Sequence, residues 1–129
     1  MSERWFAAGA WLLAAGIAIG AFGAHALKDV LDLEHRYIYD KAVLYHLVNA
    51  VGLMALAGFM KSESLSARAS RTVGLMLFFG VVIFSGSLYL LCLSGVRWLG
   101  AITPIGGSLL IIGWVVVGCK LFQAGKKVS

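Results

Sequence analysis

Inside stretches of the sequence that carry no charged residue, seven side chains able to form hydrogen bonds are candidates for a common site. They are His25, Tyr45, His46, Asn49, Ser87, Tyr89 and Thr103. Polar groups in hydrocarbon are costly, and they usually face the interior of a helix bundle or a wet cavity. We expect them either to hold helices together by hydrogen bonds or to line a pocket for a ligand, a proton or a metal ion.

The two histidines are the strongest candidates for chemistry. His25 lies two residues before the end of its uncharged stretch, and His46 lies about four residues into the next one. At 1.5 Å per residue, both would lie within roughly 3 to 6 Å of the same membrane boundary. His46 and Asn49 are three residues apart, so they share one face of a helix. The pattern predicts that the polar side chains gather in the outer half of the membrane.

Metal binding and catalysis receive little support from the residue types. Two histidines are a weak metal signal, because a structural zinc site normally has four ligands. Cys92 and Cys119 fall near opposite membrane faces, too far apart for a disulfide. No phosphate-binding loop with its lysine is present, and no acid lies inside an uncharged stretch to complete a serine relay. We therefore predict no metal ion, no cofactor and no catalytic residue.

Four uncharged stretches carry all of these residues. They are Trp5–Leu27, Ala42–Met60, Thr72–Val96 and Trp98–Cys119, with 23, 19, 25 and 22 residues. About 20 apolar residues suffice for a helix to cross a bilayer, and the backbone in lipid must bond internally. The chain has 129 residues, of which 60% are hydrophobic and 13% charged. The sequence predicts an all-α polytopic membrane protein: one domain, 1–129, folded as an antiparallel bundle of four transmembrane helices near 5–27, 38–60, 72–95 and 99–122.

The sequence gives little support to two other interpretations, a nucleic-acid-binding protein and a cleaved signal peptide. The net charge of +5 does not indicate nucleic-acid binding, because the basic residues lie in short segments between apolar stretches and not on one soluble face. The letters AHA at 24–26 resemble a signal-peptide cleavage site. However, the apolar stretch before them is longer than the 7 to 15 residues of a signal core, so we expect a retained first helix.

The basic residues are distributed unequally between the two ends of the predicted bundle. Both termini and the middle turn share one end, which carries seven basic residues: Arg4, Lys61, Arg68, Arg71, Lys120, Lys126 and Lys127. The other end carries four: Lys28, Arg36, Lys41 and Arg97. Because cytoplasmic segments are enriched in Lys and Arg, the count predicts that both termini are cytoplasmic.

Three helix-end signals refine the picture. Asp32 is a plausible N-cap with Glu34 in the first turn, so the second helix is expected to begin near Leu33. It would then be roughly 42 Å long, longer than the hydrocarbon core. For the fourth helix, Thr103 would cap with Pro104 at the first helical position, leaving the first turn at Gly106 bare toward a pocket; the alternative is a continuous helix kinked at Pro104.

Glycines follow a regular spacing in the first stretch. Gly9, Gly16 and Gly23 are seven residues apart, and Gly20 follows Gly16 by four. Small residues allow membrane helices to approach closely. This stripe is expected to pack within the monomer or, as the alternative, to form a subunit interface.

Four ordered motifs resemble one known family. GAFGAHAL, YHLVNAVGL, FSGSLYLL and TPIGG followed by GW are similar to the family called domain of unknown function 423, small bacterial membrane proteins related to the eukaryotic transmembrane protein 256 group. The resemblance covers roughly Trp5–Leu121 and implies a four-helix protein of the bacterial inner membrane. It includes His25 and His46 but implies no catalytic role for them.

Three functions remain open at the level of sequence. The leading one is a non-enzymatic membrane protein, structural or partner-binding, whose partners are membrane lipids, a second copy of the chain or other membrane proteins, and no nucleic acid. The second is a protein that binds or transports a small molecule, lipid or ion through the polar pocket. The third is a haem- or quinone-associated protein, with His25 and His46 near the ligand.

Overall fold

The computed structural model describes residues 1–128 and consists of four long helices. They are α1 (Ser2–His25), α2 (Leu33–Lys61), α3 (Ala67–Ser94) and α4 (Thr103–Val128), with a short 3-10 helix, Arg97–Ala101, before α4. All four are long and apolar enough to cross a membrane. The predicted all-helical membrane protein with four spans is therefore confirmed. Ser129, the last residue of the predicted domain, lies outside the described residues.

The second helix extends well beyond its uncharged stretch. It begins at Leu33, because the Asp32 carboxylate accepts a hydrogen bond from the His35 backbone N–H at 2.8 Å, as the sequence predicted. The same oxygen lies 2.8 Å from His35 Nδ1. The His35 backbone bond and then its imidazole hold the pKa of Asp32 below its ordinary value. A cap so far before the apolar residues gives α2 about two extra turns at this end.

The turn between α3 and α4 is compact. Gly95 ends α3 in the left-handed conformation at φ 73°, which only glycine adopts at low cost. The 3-10 helix follows, and backbone bonds continue through Ile102 into α4. The connection is therefore helical, where the sequence left open an irregular segment or a kinked continuous helix. The Thr103 hydroxyl lies 2.6 Å from Ser87 Oγ, so it links α4 to α3.

The helices pack in chain order. The close backbone contacts join α1 with α2, α2 with α3 and α3 with α4, and α1 also touches α3. Within the described residues, α1 and α4 make no close backbone contact with each other. The bundle is thus open between its first and last helices, and α2 and α3 form its centre. A continuous core of buried side chains from all four helices fills it, including Leu12, Leu53, Leu77 and Leu110.

Candidate functional site

His46 is the buried centre of the polar cluster. Its Nε2 lies 2.7 Å from the Leu12 carbonyl of α1, and its Nδ1 lies 2.8 Å from the Tyr89 hydroxyl of α3. A carbonyl only accepts, so Nε2 carries the hydrogen. In the neutral imidazole, Nδ1 then accepts from the Tyr89 O–H. One side chain on α2 therefore bonds to both neighbouring helices and uses both of its ring nitrogens.

Gly16 makes the bond from His46 to α1 sterically feasible. It lies one turn after Leu12, so its side chain would lie beside the Leu12 carbonyl. A Cβ at this position would approach Leu47 Cδ2 to 2.7 Å and His46 Cδ2 to 3.1 Å. Because Gly16 has only a hydrogen atom where another residue has a Cβ, the His46 ring can reach the Leu12 carbonyl, which is already bonded within α1.

The same arrangement recurs seven residues along each helix. The Tyr39 hydroxyl donates to the Ile19 carbonyl, and Gly23 lies four residues after Ile19. A Cβ on Gly23 would overlap the Tyr39 ring. Tyr39 is 3% exposed, so it is a buried link between the two helices. The two contacts are seven residues apart on each helix. The helices run antiparallel, so the later residue on α2, His46, meets the earlier residues on α1.

The other two glycines of the stripe also face α2. A Cβ on Gly9 would approach Met54 Cγ to 2.6 Å, and one on Gly20 would approach Val43 Cγ1 to 3.1 Å. In the structure, the stripe Gly9, Gly16, Gly20 and Gly23 is thus a contact surface between α1 and α2 of one chain.

Asn49 connects α2 to α4. Its Oδ1 accepts from Trp114 Nε1 at 2.7 Å, and its Nδ2 donates to the Tyr45 carbonyl at 2.8 Å. Gly52 provides the space, because a Cβ there would lie 2.7 Å from Trp114 Cζ2. A buried tryptophan normally finds a partner for its N–H, and here the partner is on the far side of the bundle.

Serine hydroxyls complete the links between helices. Ser85, which is almost fully buried, donates to the Ala42 carbonyl at 2.8 Å. Ser87 donates to the Phe84 carbonyl of its own helix and bonds with Thr103. Each described buried side-chain nitrogen or oxygen has a hydrogen-bond partner in the protein. No described buried polar atom of the cluster therefore depends on a ligand for a hydrogen-bond partner.

The predicted single pocket does not form, because its residues lie in separate places. His25 is exposed at the end of α1, whereas His46 contacts Leu12, thirteen residues earlier and therefore about 20 Å away along α1. The estimate of equal depth was wrong because it counted the depth of His46 from the first uncharged residue, Ala42, whereas α2 begins at Leu33 and His46 lies over three turns into the helix. Tyr45 is 48% exposed and contacts Phe84 edge-on.

The first turn of α4 also differs from the predicted anion-binding end. A Cβ on Gly106 would overlap the backbone of Phe84, and the Phe84 ring lies beside Gly107. Gly106 therefore allows α4 to pack directly against α3, and this turn does not open onto a cavity.

The donor atoms of the cluster are poorly arranged for a metal ion or haem iron. Both ring nitrogens of His46 are engaged by the protein, and an iron or zinc ligand needs one free nitrogen. Over residues 1–128, no three His, Cys, Asp or Glu side chains are grouped as metal ligands. Cys92 and Cys119 are free thiols, and Cys92 donates to the His35 carbonyl.

Two cavities lie at the ends of the bundle, away from His46. One, of about 250 Å³, is lined by Glu34, His35, Ile38, Leu91 and Arg97. The other, of about 840 Å³, lies between the α2–α3 turn and the last turns of α4. Sequence reasoning identified neither cavity, because loop serines and flanking lysines are also typical of ordinary helix ends.

The sequence also missed several members of the cluster. Most of the bonds end on backbone carbonyls, such as those of Leu12, Ile19 and Ala42, and no residue type in the sequence indicates which carbonyls accept. One sequence signal could have indicated the bonds between α1 and α2. Gly16 and Gly23 are seven residues apart on α1, and Tyr39 and His46 are seven residues apart on α2.

Comparison with known proteins shows relatives in several bacteria. A UPF0382 membrane protein of Staphylococcus epidermidis is 46% identical over 78% of this chain and 80% of its own length. The UPF0382 membrane protein YwdK of Bacillus subtilis is 40% identical over 82% and 84%. A UPF0382 membrane protein of Haemophilus influenzae is 32% identical over 84% and 85%. No solved structure matches the chain.

The family model described as protein of unknown function, DUF423, matches residues 19–107. This range contains the end of α1, with Gly23, and all of α2, with Tyr39. It also contains all of α3 and the first turn of α4. The resemblance read from the sequence motifs is thereby confirmed, and the chain belongs to the DUF423 family of membrane proteins.

Proposed function

We propose that this protein is a non-enzymatic membrane component that acts by binding other membrane molecules. The observation that carries the proposal is the closed hydrogen-bonding of His46, whose two ring nitrogens are bonded to α1 and α3. A transport pathway would need polar groups free to exchange partners with an ion, a proton or a substrate. Here the polar groups bond to each other and to backbone carbonyls, so they stabilise the bundle.

The proposed location is the bacterial inner membrane, with both termini in the cytoplasm. The bacterial origin of the relatives supports the first part. The excess of basic residues at the end that holds the termini and the α2–α3 turn, seven against four, supports the second. We call this end the basic end.

Reconstitution tests the proposal against transport. Purified protein in proteoliposomes should give proton and ion flux equal to that of empty vesicles. Flux above that level, lost in His46→Ala and retained in Tyr45→Phe, would contradict the proposal and support the transport alternative. Tyr45 is a matched control because its ring lies on the lipid-facing surface.

Reporter fusions test the orientation. A fluorescent protein that folds only in the cytoplasm should be bright when fused after residue 129, and a periplasm-dependent phosphatase at the same position should be inactive. The reverse pattern would place the basic end outside and contradict the assignment.

A further inference from the structure

The larger cavity lies at the basic end, between the α2–α3 turn and the last turns of α4. Its volume is about 840 Å³, within the range of about 300 to 1,000 Å³ for ligand pockets. Its polar lining consists of Ser62, Glu63, Ser64, Ser66, Lys120 and Gln123. Phe59 and Leu121 contribute an apolar edge, and Phe59 is 52% exposed. The rest of the lining is apolar and includes Leu65, Ala69 and Ala124, so the cavity offers both polar groups and an apolar surface to a ligand.

The charge around the cavity favours an anion. Lys120 lines it directly and is exposed. Six further basic residues lie at the same end, against two acids, Glu3 and Glu63. A lysine near a membrane surface contributes about 1 kcal/mol to the attraction of anionic lipid. An ammonium group also donates up to three hydrogen bonds to phosphate oxygens.

The turn that forms the other wall supplies hydroxyl groups and one carboxylate. Ser62 Oγ donates to the Phe59 carbonyl and lies 2.9 Å from Ser64 Oγ. Ser66 accepts from the Ala69 N–H as the cap of α3. Glu63 adopts the left-handed conformation at φ 62°, which is uncommon outside glycine. This wall can therefore bond to both the phosphate and the hydroxyl groups of a glycerol-type headgroup.

We propose that this cavity binds the headgroup of an anionic phospholipid of the phosphatidylglycerol type. Lys120 and Gln123 meet the phosphodiester, the Glu63 carboxylate and the serine hydroxyls meet the glycerol hydroxyls, and Phe59 and Leu121 lie against the start of the acyl chains. The assignment deepens the proposed function and rests on its claim that the protein binds other membrane molecules.

Native mass spectrometry of the full chain in detergent tests the assignment. Phosphatidylglycerol should be retained more tightly than phosphatidylethanolamine, and soluble glycerol 3-phosphate should not displace it. Lys120→Gln should weaken phosphatidylglycerol binding about fivefold, in proportion to the loss of one charge contact. Arg68→Gln is the matched control, because Arg68 lies at the same end but outside the cavity lining, and it should change binding less than twofold.

Three results would overturn the assignment. Equal losses in Lys120→Gln and Arg68→Gln would mean that the basic end attracts lipid only by its general charge. A preference of the native protein for phosphatidylethanolamine that is lost in Glu63→Gln would mean that the carboxylate meets an ammonium group; the assignment predicts weaker phosphatidylglycerol binding in this variant, because the charged carboxylate accepts more strongly from the glycerol hydroxyls than an amide does. Full displacement by glycerol 3-phosphate would point to a soluble phosphate ligand. Flux in proteoliposomes would contradict the proposed function and leave this lipid selectivity unaffected, so the two failures are distinguishable.

Discussion

At the scale of single residues, the most consequential contact is that of His46 with two helices. A buried imidazole with one nitrogen donating to a carbonyl and the other facing a hydroxyl is fully satisfied in its neutral form. Such bonds in membranes stabilise proteins modestly, by about 0.6 kcal/mol on average and up to about 1.7. The histidine therefore contributes mainly by fixing how α1, α2 and α3 meet.

A double-mutant cycle measures the bond between His46 and Tyr89. We expect His46→Ala and Tyr89→Phe each to destabilise the protein, because each leaves a buried polar partner with an unfilled bond. The coupling energy between the two changes should be about 0.5 to 2 kcal/mol, measured by unfolding in mixed micelles of dodecyl sulfate. Perfect additivity of the two losses would show that the rings do not bond in the membrane.

The same logic applies to Asn49 and Trp114. Trp114→Phe keeps most of the ring in place against Gly52 but removes the N–H that the Asn49 amide oxygen accepts. The expected loss is about 1 to 2 kcal/mol, by the same unfolding measurement. Trp11→Phe is the control, because Trp11 is 72% exposed to lipid and its replacement should be close to neutral. A larger effect at Trp11 than at Trp114 would contradict this account of α4.

At the scale of helices, glycine placement determines how closely α1 approaches α2. Glycine inside a helix costs about 1 kcal/mol relative to alanine, so its presence is informative where a side chain would collide. Gly16 and Gly23 each lie one turn after a carbonyl that receives a bond from α2. By contrast, a Cβ on Gly86 would meet nothing within 4 Å.

Matched alanine substitutions separate these two classes of glycine. Gly23→Ala should destabilise by about 1 to 3 kcal/mol, because the added methyl group displaces the Tyr39 ring. Gly86→Ala should be neutral or stabilising by up to about 1 kcal/mol through helix propensity. Thermal unfolding followed by circular dichroism in detergent measures both changes. If the two variants unfold at the same temperature, the stripe does not control packing.

The start of α2 gives a prediction about pH. Because the folded-state pKa of Asp32 is lowered, its ionised carboxylate stabilises the helix start above the ordinary value of about 3.9. This stabilisation is lost as the pH falls through the lowered value. Asp32→Asn keeps a capping residue without a charge. The thermal midpoint of the native protein should therefore exceed that of the variant at pH 7, and the difference should shrink below about pH 4. A difference that is constant down to pH 2 would contradict this.

Helix positions were more predictable than helix partners. Four uncharged stretches were enough to predict four spans, because charged side chains are unfavourable in lipid and their absence can be read directly from the sequence. The Asp32 cap was predictable because capping is local. The error in the depth of His46 arose because its depth was counted from the first uncharged residue, Ala42, although the cap at Asp32 begins α2 nine residues earlier. The seven predicted residues do not form one pocket, because five of their side chains hydrogen-bond to each other, to Trp114 or to backbone carbonyls.

At the scale of the whole molecule, α2 is the helix that all others bond to. Its Tyr39 and His46 side chains bond to carbonyls of α1, its Ala42 carbonyl accepts from Ser85 of α3, and its Asn49 amide oxygen accepts from Trp114 of α4. Over residues 1–128, the first and last helices make no close backbone contact with each other. The sequence does not determine this, since short connections specify only that consecutive helices are neighbours.

Cysteine pairs in a Cys92→Ser, Cys119→Ser background test the open arrangement. Gly20→Cys with Val43→Cys should cross-link within one chain, because a Cβ at 20 lies 3.1 Å from Val43. Ile17→Cys with Ile105→Cys should not. These residues are both 58% exposed. They lie at similar depth, because Leu12 on α1 and Leu110 on the antiparallel α4 belong to one core. Ile17 lies five residues after Leu12, and Ile105 lies five residues before Leu110.

The size of the cross-linked product decides between the alternatives. A product of monomer size from the 17–105 pair would close the bundle and contradict the structure. A product of dimer size from that pair alone, formed in native membranes, would instead show a second copy placed along the open side. The open side between α1 and α4 is a different surface from the stripe of Gly9, Gly16, Gly20 and Gly23, which packs against α2. An oligomer formed through the open side would therefore not change the contact between the stripe and α2. The 20–43 cross-link should then form equally well in monomer and dimer.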